Sequence, residues 1–252
     1  MKKTLCFIAL GTVLCAMPVL KTNAQEITAP KNAVKMNLFP LAAKTFAFEY
    51  ERALIGKLTA VGMFSYRAES NLPFVSSWSS LIDDEDAKEA LGNTKQGATS
   101  FALEARYYTG KKGAMRGFYL APYIKSANYT SSVPFNVDID AADIDKIDVN
   151  GNLKAFTFGL GFGTQFSLGK NITLDWKIIA PGYGSSNGTL KGKANRQLTD
   201  DEVAEIQEQL DEQLSDLPVV KAEADVNKDG IKVKMKGPWA GIRTGLSIGY
   251  KF

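Results

Sequence analysis

The sequence predicts an all-β fold, an eight-stranded antiparallel transmembrane β-barrel with long extracellular loops containing a helix and a hairpin. Three observations predict it. Eight segments alternate apolar and polar residues with period two. The connections between them alternate between tight turns and long stretches, as in barrels whose short turns gather at one end. The last segment, GIRTGLSIGYKF, sets Ile242, Thr244, Leu246, Ile248, Tyr250 and Phe252 on one face and finishes on an aromatic residue. In water such an end would be a liability, whereas a closed sheet in lipid has no free edge to expose.

Residues 1–24 come first and read as a cleaved secretory signal. Lys2 and Lys3 precede an apolar run from Leu5 to Leu20, and Thr22-Asn23-Ala24 sets small residues at the cleavage positions. The alternative, a membrane anchor, needs about 20 apolar residues, and this run is short for that. A lipoprotein signal needs a small residue before cysteine, but Leu5 precedes Cys6 and Leu14 precedes Cys15. Cleavage removes both cysteines and three lysines, leaving 27 bases against 27 acids over residues 25–252. No general basic field then remains to attract nucleic acid, so none is expected as a partner. Residues 25–252 are expected to form one barrel domain.

The eight segments run roughly over 33–39, 45–53, 58–67, 99–108, 116–127, 154–168, 171–183 and 238–252. The second sets Phe46, Phe48 and Tyr50 against Ala47, Glu49 and Glu51. The third has no clear orientation, because Val61 and Met63 compete with Phe64 and Tyr66. The fourth opposes Phe101, Leu103 and Tyr107 to Ser100, Ala102, Glu104 and Arg106. In the fifth, Pro122 removes a ladder donor, and a bulge is expected there. The sixth is the most regular, with Phe156, Phe158, Leu160, Phe162, Phe166 and Leu168 opposite Thr157, three glycines, Gln165 and Ser167. The seventh opposes Ile172, Leu174, Trp176 and Ile178 to Thr173, Asp175 and Lys177.

Tight turns fall at 54–57, 110–115 and 169–170, and a short one at 40–44; long connections span 68–98, 128–153 and 185–236. Those three stretches hold 22 of the 27 acids. Within them, Thr199 and Glu202 have capping-box spacing, followed by Val203, Ile206, Leu210 and Leu214 at helical intervals. A shorter acidic helix is expected over 80–91. Residues 218–236 read as a hairpin turning at 227–230, and the fifth and sixth segments are expected to continue past the membrane as a second hairpin, with Val137 and Ile139 before the turn and Val149 to Leu153 around Asn150-Gly151.

Alternation leaves open whether the apolar face points inward, as in a soluble lipocalin-like barrel, or outward. Three features favour outward. The polar face carries both signs: Lys35, Glu49, Glu51, Glu104, Arg106, Lys125, Asp175, Lys177 and Arg243. It also carries Gly159, Gly161, Gly163, Gly245 and Gly249, which would make room for long side chains in a narrow interior. The third is the aromatic terminal strand. Arg106 and Arg243 are therefore expected to pair with Glu49, Glu51 or Glu104 inside the barrel.

The signal, the eight segments and the Tyr250-Lys251-Phe252 ending resemble small outer-membrane β-barrels of the OmpA or OmpX type. The stretch Gly117-Phe118-Tyr119-Leu120-Ala121-Pro122-Tyr123 is similar to that of Gram-negative barrel families of unknown function. The resemblance implies the cell outer membrane as location, membrane lipid as solvent, and recognition of the Phe252 strand by the barrel-assembly machinery. No peptidoglycan-binding domain is seen beyond the barrel, so an OmpA-like tether is not expected.

The chemistry is sparse. The chain has no histidine, the residue to which general-base work at neutral pH most often falls. Catalytic residues and cofactors are therefore expected to be none. Glu49 and Glu51 share a face but read better as members of an ion network. Asp225, Asn227, Asp229 and Gly230 match the first half of a calcium loop, which makes Asp225, Asn227 and Asp229 weak metal candidates. Lys236 stands where the bidentate glutamate belongs, and a plain hairpin turn competes. An Asp-rich run at 138–148 could gather cations loosely. Two functions remain: a non-enzymatic envelope or surface protein whose loops engage an unknown surface ligand, and a narrow porin-like channel for small solutes.

Overall fold

The computed structural model describes residues 30–73, 75, 88, 92–135, 147–194, 196–215 and 221–252. The expected signal, residues 1–24, lies outside them. So do the expected helix at 80–91 except Lys88, and Asp138, Asp140, Asp143 and Asp145 of the Asp-rich run.

One antiparallel sheet organises the chain. Its strands are β1 (Asn32–Asn37), β2 (Thr45–Ala53), β3 (Leu58–Asn71), β4 (Lys95–Tyr108), β5 (Gly117–Phe135), β6 (Ile147–Leu168), β7 (Ile172–Lys193), β8 (Lys221–Asn227) and β9 (Gly230–Lys251). Neighbours follow chain order up to β7, which pairs β9 rather than β8. β9 then pairs β1, with Val34 opposite Tyr250 and Met36 opposite Ile248, so eight strands close into a ring. Closure is sealed at the chain end, where the Phe252 and Asn32 backbones exchange hydrogen bonds of 2.9 and 3.0 Å. The ninth strand, β8, pairs only the start of β9.

Strand parity fixes the faces. Phe158 is 59% exposed, Leu160 55% and Phe101 60%, all on the outside of the ring. Glu51, Arg106 and Thr59 are fully buried inside. The third segment is oriented by its neighbours: Thr59, Val61 and Arg67 face in, and Phe64 and Tyr66 face out. Val61 and Met63 are the apolar residues among the inward groups of β3, and the Met63 sulfur meets Arg243 and Lys177.

The bulge expected at Pro122 is not there. Around Pro122 the β4–β5 ladder skips Ala105 and Arg106, yet the register is the same on both sides of the gap. Loss of one donor there interrupts the ladder without inserting a residue. The register shifts instead in β7, where Lys177 pairs Gly245 and Ala180 pairs Arg243, placing Ile178 and Ile179 opposite Thr244 alone. The Thr244 hydroxyl lies 3.0 and 3.1 Å from the Lys177 and Ile178 carbonyls that the bulge leaves available. Beyond it the inward positions of β7 change from odd to even, so Ala180 is buried where alternation from Lys177 would have put Ile179. A second shift lies between Arg67 and Ser70 of β3.

Two of the long connections carry strand extensions. β5 and β6 continue past the ring as the expected second hairpin, pairing from Gly117–Gln165 out to Phe135–Ile147, with Asn150 and Gly151 paired to Ser132 and Ser131 as strand residues. Val137 and Ile139 lie outside the described residues. The hairpin expected at 218–236 does turn between Asn227 and Gly230, but its second arm runs without a break through Gly237 and Pro238 into the ring. β7 extends alongside and supplies the partner for each of these residues.

The long arms of β6, β7, β9 and β8 thus form a sheet projecting past the ring, at the end opposite the tight turns. Helix α1 (Asp200–Ser215) packs on it, with Val203, Ile206 and Leu210 against Val149, Val226, Ile231, Ala194 and Leu198. Counting by twos, Val149 and Ile231 lie on the same side as the inward Thr157 and Arg243. The helix therefore covers the continuation of the ring's interior face. Its start is capped as the sequence predicts: the Glu202 amide donates to the Thr199 hydroxyl at 3.3 Å, and the Thr199 amide to Glu202 at 2.8 Å.

Candidate functional site

The polar face of the strands converges inside the ring. Arg106 of β4 is fully buried, and its guanidinium meets Glu104 at 2.6 Å, Glu49 at 3.3 Å and Glu51 at 3.5 Å, and also Asp175. Lys35 of β1 meets Glu51 at 2.7 Å, Asp175 at 2.5 Å and Glu49 at 3.9 Å. Lys177 of β7 meets Glu104 at 3.1 Å and Glu49 at 3.9 Å, and Arg243 of β9 reaches Glu104 at 3.6 Å. Four cations and four carboxylates from five strands thus balance formally.

Neutral groups complete the network. Tyr108 and Thr59 donate to Glu51 at 2.7 and 2.6 Å, Tyr119 to Asp175 at 2.8 Å, and Ser247 to Glu49 at 3.3 Å. The Tyr108 oxygen also lies 2.6 Å from Gln165 Oε1, and the Gln165 amide donates to Thr173 at 2.9 Å. Arg106 stacks over the Tyr119 ring at 4.4 Å. Charges this deeply buried persist only when paired and hydrogen-bonded. Two glycines admit the tyrosines: a Cβ on Gly163 would collide with the Tyr119 ring, and one on Gly159 with Tyr123.

The expected pairing of Arg106 and Arg243 with glutamates is present. Sequence reasoning missed the centrality of Lys35 and Asp175 and the roles of Tyr108 and Tyr119. Parity could have found the tyrosines, since Tyr107 facing out forces Tyr108 inward.

Above this network, toward the long connections, the interior opens into a cavity of about 320 Å³ lined by Lys125, Lys177, Arg243, Glu49, Ser65 and Ser100. A second cavity of about 150 Å³ shares Lys125 and Arg243 and is bounded by Tyr123, Tyr129 and Trp239. Arg243 stacks on Tyr123 at 4.4 Å.

The weak metal candidates lie apart from all this, on the projecting hairpin. Asp225 and Asn227 are exposed on β8, and Asp229 is in the turn. The Asn227 side-chain oxygen accepts the Asp229 amide at 2.9 Å, and Asp225 sits opposite Lys232. Among the described residues no three histidine, cysteine, aspartate or glutamate side chains cluster in a way that would hold a metal ion. The same hairpin carries basic residues opposite its acids, with Glu223 facing Lys234.

At the start of α1, Arg196 from the preceding turn holds Glu202 through hydrogen bonds of 2.5 and 2.9 Å. With the Thr199 amide, this keeps the Glu202 carboxyl at about 2, below its ordinary value.

No curated protein and no solved structure matches the sequence. A family profile does, over residues 10–189, which takes in β1 to β6, most of β7 and the carboxylates of the buried network. The chain belongs to the protein family of unknown function DUF3575.

Proposed function

We propose that this chain is an integral outer-membrane β-barrel with a non-enzymatic role at the cell envelope, presenting its projecting sheet and helix to a surface partner. One observation carries the reading: the closed ring is inverted relative to a water-soluble protein. Its outside bears Phe46, Phe48, Phe101, Phe118, Phe156 and Phe158, all strongly exposed. Its inside bears Lys35, Glu51, Arg106 and Asp175, all buried. An apolar surface wrapping a molecule exceeds what soluble monomers tolerate. A hydrocarbon solvent removes that cost, and it also requires each backbone group to be paired within a closed sheet.

The polarity of the two ends supports the orientation. The long connections and the acidic helix gather at one end, and the tight turns with Lys57, Lys111, Lys112 and Lys170 at the other. Outer-membrane barrels set short turns in the periplasm and long loops outside. The buried network argues against the alternative, a narrow passive channel, because paired side chains from five strands fill the interior. The lack of histidine supports a non-enzymatic role.

Fractionation tests the location. The protein is expected in outer membranes, resistant to carbonate extraction and soluble only with detergent. A monomer that stays in solution without detergent would overturn the proposal. Planar-bilayer recording separates the surface role from the channel, and steady single-channel steps would favour the channel.

A further inference from the structure

We propose that the cavity above the ion network is a binding site for a small organic anion, its carboxylate or phosphate held between Lys125 and Arg243. The charge balance points to it. The four buried carboxylates Glu49, Glu51, Glu104 and Asp175 are matched by Lys35, Arg106, Lys177 and Arg243, within 3.9 Å in every pair. Lys125 is a further cation on the same interior face. Among the described residues it has no ion pair or hydrogen bond. It lines both cavities beside Arg243, and the larger one beside Lys177 as well.

Arg243 is only partly satisfied. Nη2 donates to the Met63 sulfur at 2.9 Å, a weak acceptor, while Nη1 is buried without a hydrogen bond, 3.6 Å from Glu104 Oε2. On this wall Glu49 takes Arg106, Lys177, Lys35 and Ser247. Glu104 takes Arg106 through Oε1, while its Oε2 lies 3.1 Å from Lys177 and is itself buried without a hydrogen bond. Neighbouring cations withdrawn from water repel unless an anion lies between them. An anionic group there would accept from both and satisfy the orphaned Nη1. The Ser65 and Ser100 hydroxyls, 2.7 Å apart on the same wall, offer further donors.

The adjoining space says what the rest of the ligand is. Tyr129 and Trp239 stand 5.4 Å apart at the rim of the smaller cavity, above the Arg243–Tyr123 stack. An aromatic-lined space of about 150 Å³ suits a small flat or aliphatic body attached to the charged group. This site needs only the closed ring and does not depend on whether the outside meets lipid.

The test is calorimetric titration of the full folded chain in a non-ionic detergent, with inorganic phosphate and benzoate as separate probes. Near-UV circular dichroism establishes folding of each variant. At least one probe is expected to bind, and benzoate more tightly if the aromatic space contributes. Lys125→Met should weaken binding tenfold or more, and Lys125→Arg should restore it. Lys154→Met, at an exposed position on β6, should leave it unchanged. No binding of either probe, or binding by Lys125→Met as tight as wild type, would overturn the proposal. Detergent independence of the protein would sink the membrane reading while leaving this result standing.

Discussion

Arg106→Met gives the sharpest test of the buried network. The substitution keeps most of the side-chain stem and removes one positive charge from a fully buried position. Four carboxylates then remain with Lys35, Lys177 and Arg243, so the paired network carries one excess negative charge. Lys35 still covers Glu51 and Asp175 at 2.7 and 2.5 Å, and Lys177 still covers Glu104 at 3.1 Å. Glu49 keeps only contacts at 3.9 Å and the Ser247 hydroxyl. Removing one partner of a buried ion pair typically costs about 3–5 kcal/mol, mostly as the penalty of the stranded charge. Arg106 serves four carboxylates, so the upper part of that range is expected. The double variant Arg106→Met/Glu104→Gln restores neutrality and should recover about half of the loss, because neighbouring sites couple. Urea unfolding in lipid vesicles, followed by tryptophan fluorescence, measures both. A loss below about 1 kcal/mol for the single variant, or a double variant no more stable than the single, would refute the argument that charge compensation holds the interior together.

Other outcomes follow from the same geometry. Phe158→Arg on the outer face should destabilise the protein in bilayers by about 2–4 kcal/mol if that face meets the lipid midplane, and a neutral effect there would count against the membrane reading. Gly159→Val should lower stability by about 1–3 kcal/mol, since the added carbon meets the Pro181 carbonyl and the Tyr123 ring; urea midpoints in the same vesicles read it. Phe252→Ala should leave ring closure intact, because the Phe252 backbone makes the bonds to Asn32, yet slow assembly in cells; pulse-chase folding separates the two. Glu202, held at about 2, stabilises the helix start fully above its ordinary value near 4.5, and this contribution fades as pH falls through 2. Carbon-13 NMR titration should find its midpoint near 2, moving toward 4.5 in Arg196→Ala.

Much of the ring was legible because period-two alternation is a local property. Phe156 to Leu168 had one face on sequence alone, and so did the expectation that Arg106 meets glutamate. Outside the three long stretches the acids number five, and four of them, Glu49, Glu51, Glu104 and Asp175, meet in the interior. The capping box at Thr199 was equally local, since its partners lie three residues apart.

Less was legible where the outcome depends on a distant partner. Val61 and Phe64 compete evenly within β3, and only pairing with β2 and β4 decides which faces inward. Pro122 looks like a bulge, but the inserted residue sits in β7, where β6 and β9 must both be matched. Gly237 falls between the hairpin expected to end at 236 and the strand expected from 238, yet β7 extends beside it and one strand runs through. The sequence by itself determined which residues alternate, where the charges lie and where the helix begins, because these depend on neighbours a few positions away. Closure of β9 on β1, the parity change at Ile178, and the meeting of Lys35 with Asp175 across 140 residues were decided by tertiary structure alone. Each depends on register between strands, which no single strand encodes.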